Sequence, residues 1–125
     1  MLGSILVVDD DAPLRELLVR ILRSWGHTTI GEAGSVAEAL DYADARRPTV
    51  ALVDVGLPDG DGFSLTRRLR AKPSIQRVVL FSSDADPANV AAAARAGAAG
   101  FFPKDELLSP ALQRLLEDRA DDEER

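Results

Sequence analysis

Three consecutive aspartates, Asp9, Asp10 and Asp11, follow the apolar run ILVV, and a fourth, Asp54, follows VALV. Ser82, Ser83 and Asp84 follow VVLF, and Lys104 comes shortly after Phe101 and Phe102. Adjacent carboxylates repel one another, so at least one should have a raised pKa unless a cation compensates. A hard divalent cation is the simplest remedy. Mg²⁺ prefers oxygen ligands, keeps waters, and usually takes one or two carboxylates together with phosphate. A zinc site of the usual kind is excluded, because the chain has no cysteine and a single histidine, His27. A carboxylate next to a metal can also attack phosphorus and form an acyl phosphate. In such a site a lysine would neutralise developing charge, and Ser82 would donate a hydrogen bond.

Each of these residues also has a purely structural use. Asp9 to Asp11 could be the negative charge that a helix N-terminus favours, and Asp11 in particular reads as a cap or a water contact. Asp54 could form a turn ahead of Pro58, and Lys104 could be an ordinary surface lysine. Asp59 and Asp61 lie in PDGDG, which is turn chemistry rather than a metal pair. His27 follows a helix end and reads as a dipole partner or turn residue. Trp25 and Tyr42 read as packing residues, and Ala91 to Ala94 as helix formers. Arg46, Arg47, Arg67, Arg68 and Arg70 read as solvated helix ends.

The elements that would position these residues alternate along the chain. Ser4–Val8, Thr28–Ala33, Val50–Val53, Val78–Phe81 and Phe101–Phe102 read as strands, the apolar ones as expected for a sheet buried on both faces. Between them lie amphipathic stretches. Pro13 to Trp25 carries Leu14, Leu17, Leu18, Ile21 and Leu22 at helical spacing, and Gly26 ends it. Ser35 with Glu38 forms a capping box for a helix running to about Arg47. Phe63 to Arg70 and Pro87 to Ala96 read as two further helices. A last helix has Ser109 as a candidate cap and Pro110 at its first position. About five strand–helix units predict an α/β fold with an open, doubly wound parallel sheet, since a closed eight-fold barrel would need about 250 residues. In such sheets ligands sit beyond the carboxyl ends of the strands, where Asp9, Asp10, Asp11, Asp54, Ser82, Ser83, Asp84 and Lys104 fall.

With 125 residues, 46 % of them hydrophobic, the chain fits one domain. Fifteen Lys+Arg against 21 Asp+Glu leave a net charge of −6, which argues against direct nucleic-acid binding. No apolar run approaches the roughly 20 residues that span a bilayer, so no membrane segment is expected. The N-terminus lacks the features of a signal peptide.

Four segments, taken together, resemble response-regulator receiver domains of two-component signalling: ILVVDDD, LVDVGLPDGDG, VVLFSSDA and GAAGFFPKD. The resemblance runs from about Ile5 to Leu116. It implies a flavodoxin-like (βα)5 fold with strand order 2-1-3-4-5, with residues 1–119 as the receiver domain and 120–125 as a charged, frayed tail. Asp54 would be the phosphoacceptor. Asp10 would bind Mg²⁺ (or Mn²⁺) directly, Asp9 would hold it through water, and Asp54 and the carbonyl of Gly56 would complete the protein ligands. Ser82 and Lys104 would contact the phosphoryl group, and Ser82 and Phe101 would form the switch. The implied partners are a histidine kinase or phosphotransfer protein, with a homodimer or output domain as readout, in the cytoplasm.

The sequence departs from the family pattern at three places. Asp105 follows Lys104 where a cis proline is common, as in some receivers joined to DNA-binding domains. Gly56 offers no side chain to shield a phosphoryl group, and Asp84 adds a charge near Ser82. The chain is expected to be a switch that assists its own phosphorylation, not an enzyme. An aspartate-nucleophile phosphatase would need a second Asp where Gly56 stands. A pseudo-receiver acting without phosphorylation would not need the intact acidic residues and lysine.

Overall fold

The computed structural model describes residues 4–84, 86–107 and 109–117. The elements, in order, are β1 (Ile5–Val8), α1 (Ala12–Ser24), β2 (Ile30–Ala33), α2 (Val36–Arg46), β3 (Val50–Asp54), β4 (Gly56–Leu57) and β5 (Gly60–Asp61). They continue with α3 (Gly62–Arg70), β6 (Arg77–Ser82), α4 (Pro87–Ala96), β7 (Gly100–Pro103), a 3₁₀ turn over Lys104–Glu106, and α5 (Pro110–Glu117). Five strands pair in parallel in the order β2-β1-β3-β6-β7. Counted along the chain without the small β4–β5 ladder, that order is 2-1-3-4-5. The expected tail and the 119/120 boundary lie outside the described residues.

Strand alternation divides the core into two layers. Leu6, Val8, Ala51, Val53, Val78 and Leu80 face one side, where Ala39, Ala43, Leu65, Leu69 and Ala93 of α2, α3 and α4 cover them. Ile5, Val7, Val50, Leu52, Val79 and Phe81 face the other, under Leu18 and Leu22 of α1 and Leu112 and Leu116 of α5. Burying one such leucine or phenylalanine contributes about 1.5–3 kcal/mol, so the central strands are firmly anchored between the two layers. They are the natural base for a site at their ends.

The helices begin where short polar residues can accept their orphan N–H groups. Asp11 accepts from Leu14 N at 3.2 Å, Ser35 from Glu38 N at 3.1 Å, Asp61 from Ser64 N at 2.8 Å and Asp86 from Ala88 N at 2.6 Å. Ser109 Oγ accepts more weakly from Leu112 N at 3.4 Å. The capping box expected at Ser35 is modified, because Glu38 reaches back to Gly34 N at 2.7 Å instead of Ser35 N.

Three other expectations change. The PDGDG segment is not only a turn: Gly56–Leu57 and Gly60–Asp61 pair as a short antiparallel ladder. Asp59, at the tip of this hairpin, accepts from Val36 N at 2.7 Å and Ala37 N at 3.0 Å, so it caps α2 from a distance. These two bonds hold its carboxyl below the usual range. Finally, the third and fourth sheet strands extend further than their apolar runs. Asp54 pairs with Phe81 and Ser82 with Pro103, so both polar residues belong to the sheet ladder instead of following it.

His27 does lie in the turn after α1, where its N–H donates to Leu22 O at 3.1 Å. Its ring is not a cationic partner of the helix dipole, however. The residue is 2 % exposed, and neither ring nitrogen has a hydrogen-bond partner among the described residues. Burial lowers its pKa, opposed in part by the charge of Glu117, so the ring is neutral at pH 7.

Candidate functional site

β1 and β3 are neighbours in register, with Val8 opposite Val53. One residue further, Asp9 lies beside Asp54 on the face shared by Ile5, Val7, Val50 and Leu52. Ligand atoms of Asp9, Asp10 and Asp54 all fall within 4.8 Å of one another. β7 ends alongside β6, and the turn that follows brings in Lys104. Its Nζ lies 3.2 Å from Asp54 Oδ2 and 3.2 Å from Asp9 Oδ2. The ammonium also lies 5.8 Å from the ring centroid of Phe81, the residue paired with Asp54.

The site is charged and largely buried. Asp9 is fully buried and Asp54 is 5 % exposed, while Asp10 is open to solvent. Asp9 Oδ1 accepts from Asp11 N at 2.9 Å. Its Oδ2 is at ion-pair distance from Lys104, but the angle is outside hydrogen-bond geometry, which leaves a buried carboxylate oxygen without a directed donor. Burial and the charge of Asp9 push the Asp54 carboxyl up to about 6, against the opposing pull of Lys104. Burial alone would lower the Lys104 pKa, but Asp54 and Asp9 outweigh it and raise it.

One lysine therefore faces two buried carboxylates, with a third at the rim. Two oxygens on one Mg²⁺ at about 2.1 Å lie at most about 4.2 Å apart. Three carboxylates within 4.8 Å fit one ion with a small adjustment or an interposed water. The undonated oxygen of Asp9, buried beside Asp54, is a polar group that a cation could satisfy. The acidic trio thus has the donor set and spacing to hold a divalent metal.

The remaining candidates occupy the same edge in different ways. Ser82 ends β6, the neighbour of β3, and is 6 % exposed. Its Oγ accepts from Asp84 N at 3.0 Å. Asp84 is itself engaged, with Oδ1 accepting from Asp86 N at 3.1 Å. Gly56 N approaches Asp54 Oδ1 at 3.4 Å, and a Cβ at Gly56 would meet nothing within 4 Å. Phe101 sits one strand further out, opposite Leu80, half-buried against the α2–α4 layer. Asp11 points into α1 as its cap, and Lys104–Asp105 is a trans bond. Gly62 passes so close to Asp54 that a Cβ there would lie 2.4 Å from Asp54 O.

Sequence reasoning missed two contributors. Asp59 reads only as a turn residue in the sequence, yet it ties the loop after Asp54 to α2. Arg15 was not singled out, yet its Nη1 donates to Asp9 O at 2.6 Å. The arginine's position on the first turn of α1 gave a weak signal. For Asp59, a bond across 23 residues left none.

An open parallel sheet with a carboxylate cluster and a lysine at the carboxyl ends of its central strands defines a doubly wound α/β domain that handles a charged ligand at that edge. Residues 5–116 match the response regulator receiver domain, and the chain belongs to this family of two-component phosphorelay proteins. It is similar to the DNA-binding transcriptional activator DevR/DosR of Mycobacterium tuberculosis, at 42 % identity over 104 residues, covering 82 % of this chain and 48 % of that protein. The chain spans about half the length of the curated relatives it matches. Among solved structures it resembles the signal receiver domain of NarL from M. tuberculosis, with a TM-score of 0.79 and 35 % identity, covering 96 % of this chain and 94 % of that one. It also resembles a response regulator of Burkholderia pseudomallei that holds a phosphorylated aspartic acid, a calcium ion and citrate. That pair has a TM-score of 0.78 and 26 % identity, covering 95 % of this chain and 72 % of the other. The acidic pocket is consistent with phosphorylation of an aspartate. Among the described residues, no helix is long and apolar enough to cross a membrane.

Proposed function

We propose that Asp54 accepts a phosphoryl group from a phosphohistidine on a histidine kinase or phosphotransfer protein in the cytoplasm. One observation carries this reading: the carboxylate of Asp54 stands at a strand end, nearly buried, between Lys104 and the acidic pair. A carboxylate oxygen attacks phosphorus. The new P–O bond forms as the P–N bond breaks, and the leaving imidazole takes a proton from solvent. Asp10 and Asp54, the carbonyl of Gly56, and Asp9 through water are the residues that would hold Mg²⁺, with Mn²⁺ as a substitute. When bound, such an ion would supply positive charge that offsets the negative charge of the phosphoryl group.

Lys104 neutralises the charge that remains on the phosphoryl group. Ser82 turns its hydroxyl from Asp84 N toward that group, which pulls the loop after β6. Phe101 follows into the space this movement changes, biasing the domain between two arrangements. The readout is the face of α4, β7 and α5, where Val90 is 47 % exposed. It serves a dimer, a partner or an output domain. With a net charge of −6, the domain itself does not contact nucleic acid.

The test is incubation with acetyl phosphate and Mg²⁺, followed by intact mass. Trp25 caps the far end of α1, about 20 Å from Asp11, so its fluorescence is a poorer reporter than mass. A single hydroxylamine-labile phosphoryl adduct, absent from D54N and from the wild type in chelator, is expected. An adduct that persists in D54N, or none with any donor, refutes the assignment.

A further inference from the structure

We infer that Arg15 is a positioning residue of the acidic cradle, fixing the backbone from which Asp9 and Asp10 project. This role rests on the cradle being a cation site. Asp9 lies just beyond β1, so its carbonyl has no strand ladder to satisfy it, and a buried carbonyl needs a donor. Arg15 Nη1 supplies that donor at 2.6 Å. The same guanidinium uses Nε to bind Glu32 Oε1 at 3.0 Å. Glu32 stands on β2 opposite Val7, two residues before Asp9. Arg15 is itself anchored on the first turn of α1, where its N–H donates to Asp11 O at 2.9 Å.

Asp9 is consequently held at three points. Its N–H donates to Ala33 O at 3.0 Å, its carbonyl accepts from Arg15, and its Oδ1 accepts from Asp11 N. Only Oδ2 remains, and it faces Lys104. A planar guanidinium presents its N–H donors in a rigid fork that can hold a carbonyl and a carboxylate at once, whereas an ammonium has no such fixed fork. The Arg15 side chain is 20 % exposed, so this bond is shielded from competing water. Ligands pinned in this way lose little freedom when an ion binds, and cutting such a support typically weakens a metal site at least tenfold.

The test uses Mn²⁺ alone as the probe, with free Mn²⁺ followed by electron paramagnetic resonance, on the wild type, R15Q, R15K, E32Q and D10N. Urea unfolding in chelator is measured alongside. R15Q should raise the Mn²⁺ dissociation constant about tenfold. R15K should raise it less, because lysine keeps a positively charged donor for the carbonyl but lacks the rigid fork that spans the carbonyl and Glu32. E32Q, which keeps the carbonyl bond, should have the smallest effect. A lower urea midpoint with an unchanged Mn²⁺ constant in R15Q makes Arg15 a fold support only and overturns the inference. If R15Q does not fold, unchanged constants in both R15K and E32Q overturn it. Wild-type binding that D10N abolishes leaves the cation site standing whatever Arg15 does. Absence of binding by the wild type overturns the site and the inference together.

Discussion

Replacing Asp54 with asparagine should stabilise the metal-free protein at neutral pH while abolishing the acceptor. The carboxyl is pushed up to about 6 from an ordinary value of 3.8, and each pKa unit corresponds to about 1.4 kcal/mol, so charging Asp54 in the folded state costs on the order of 3 kcal/mol. Because the folded pKa lies above the unfolded one, the native state keeps a proton that the unfolded chain has already released. Stability therefore falls as pH rises through this window and levels off above about pH 6. The asparagine variant has no such slope. In urea unfolding with chelator, its stability relative to wild type should increase by on the order of 3 kcal/mol between about pH 4 and about pH 7. Adding Mg²⁺ should shrink the difference, because an ion that binds only the native state offsets the repulsion. Parallel pH profiles for the two proteins would refute the claim that burial and Asp9 strain the acceptor.

Other outcomes test separate parts of the structure. Gly62→Ala puts a methyl group against the backbone of Asp54 and Val55, and the overpacking should cost about 1–3 kcal/mol in urea unfolding; an unchanged midpoint would show that this loop yields freely. His27→Leu should flatten the acid limb of stability below about pH 6.5, because a histidine with a lowered folded pKa loses stability as pH falls and the unfolded chain protonates first. This sign is opposite to that of Asp54, so the comparison must be variant minus wild type, and parallel curves would refute it. Gly56→Asn has room for its side chain and should slow loss of the phosphoryl group several-fold by screening it from water; an unchanged dephosphorylation rate would end that idea.

Much of the fold was legible in the sequence because burial leaves a periodic trace. The runs ILVV, VALV and VVLF mark strands covered on both faces, and the leucine spacing of α1 marks a helix with one face in the core. Polar residues at the ends of those runs could then be assigned to one edge, and the coordinates bring Asp9, Asp10, Asp54 and Lys104 together there. What stayed hidden were polar bonds between elements distant in sequence. Asp59 looks like any turn aspartate until α2 is placed beside it, and Glu38 bonds Gly34 instead of Ser35 because of local backbone direction. His27 shows the complementary failure. A histidine just after a helix end reads as a dipole partner or turn residue, yet packing of the surrounding layers buries it.

The two aspartates of PDGDG have a mechanical consequence. Asp59 grips the start of α2 and Asp61 the start of α3, with Gly60 alone between them. The segment leaving the acceptor is therefore a strap of fixed length hooked to two cylinders at once. A single residue inserted at Gly60 would unhook one end. For the same reason, any tilt of α2 would tug on the chain beside Asp54, giving a distant surface a mechanical handle on the acceptor.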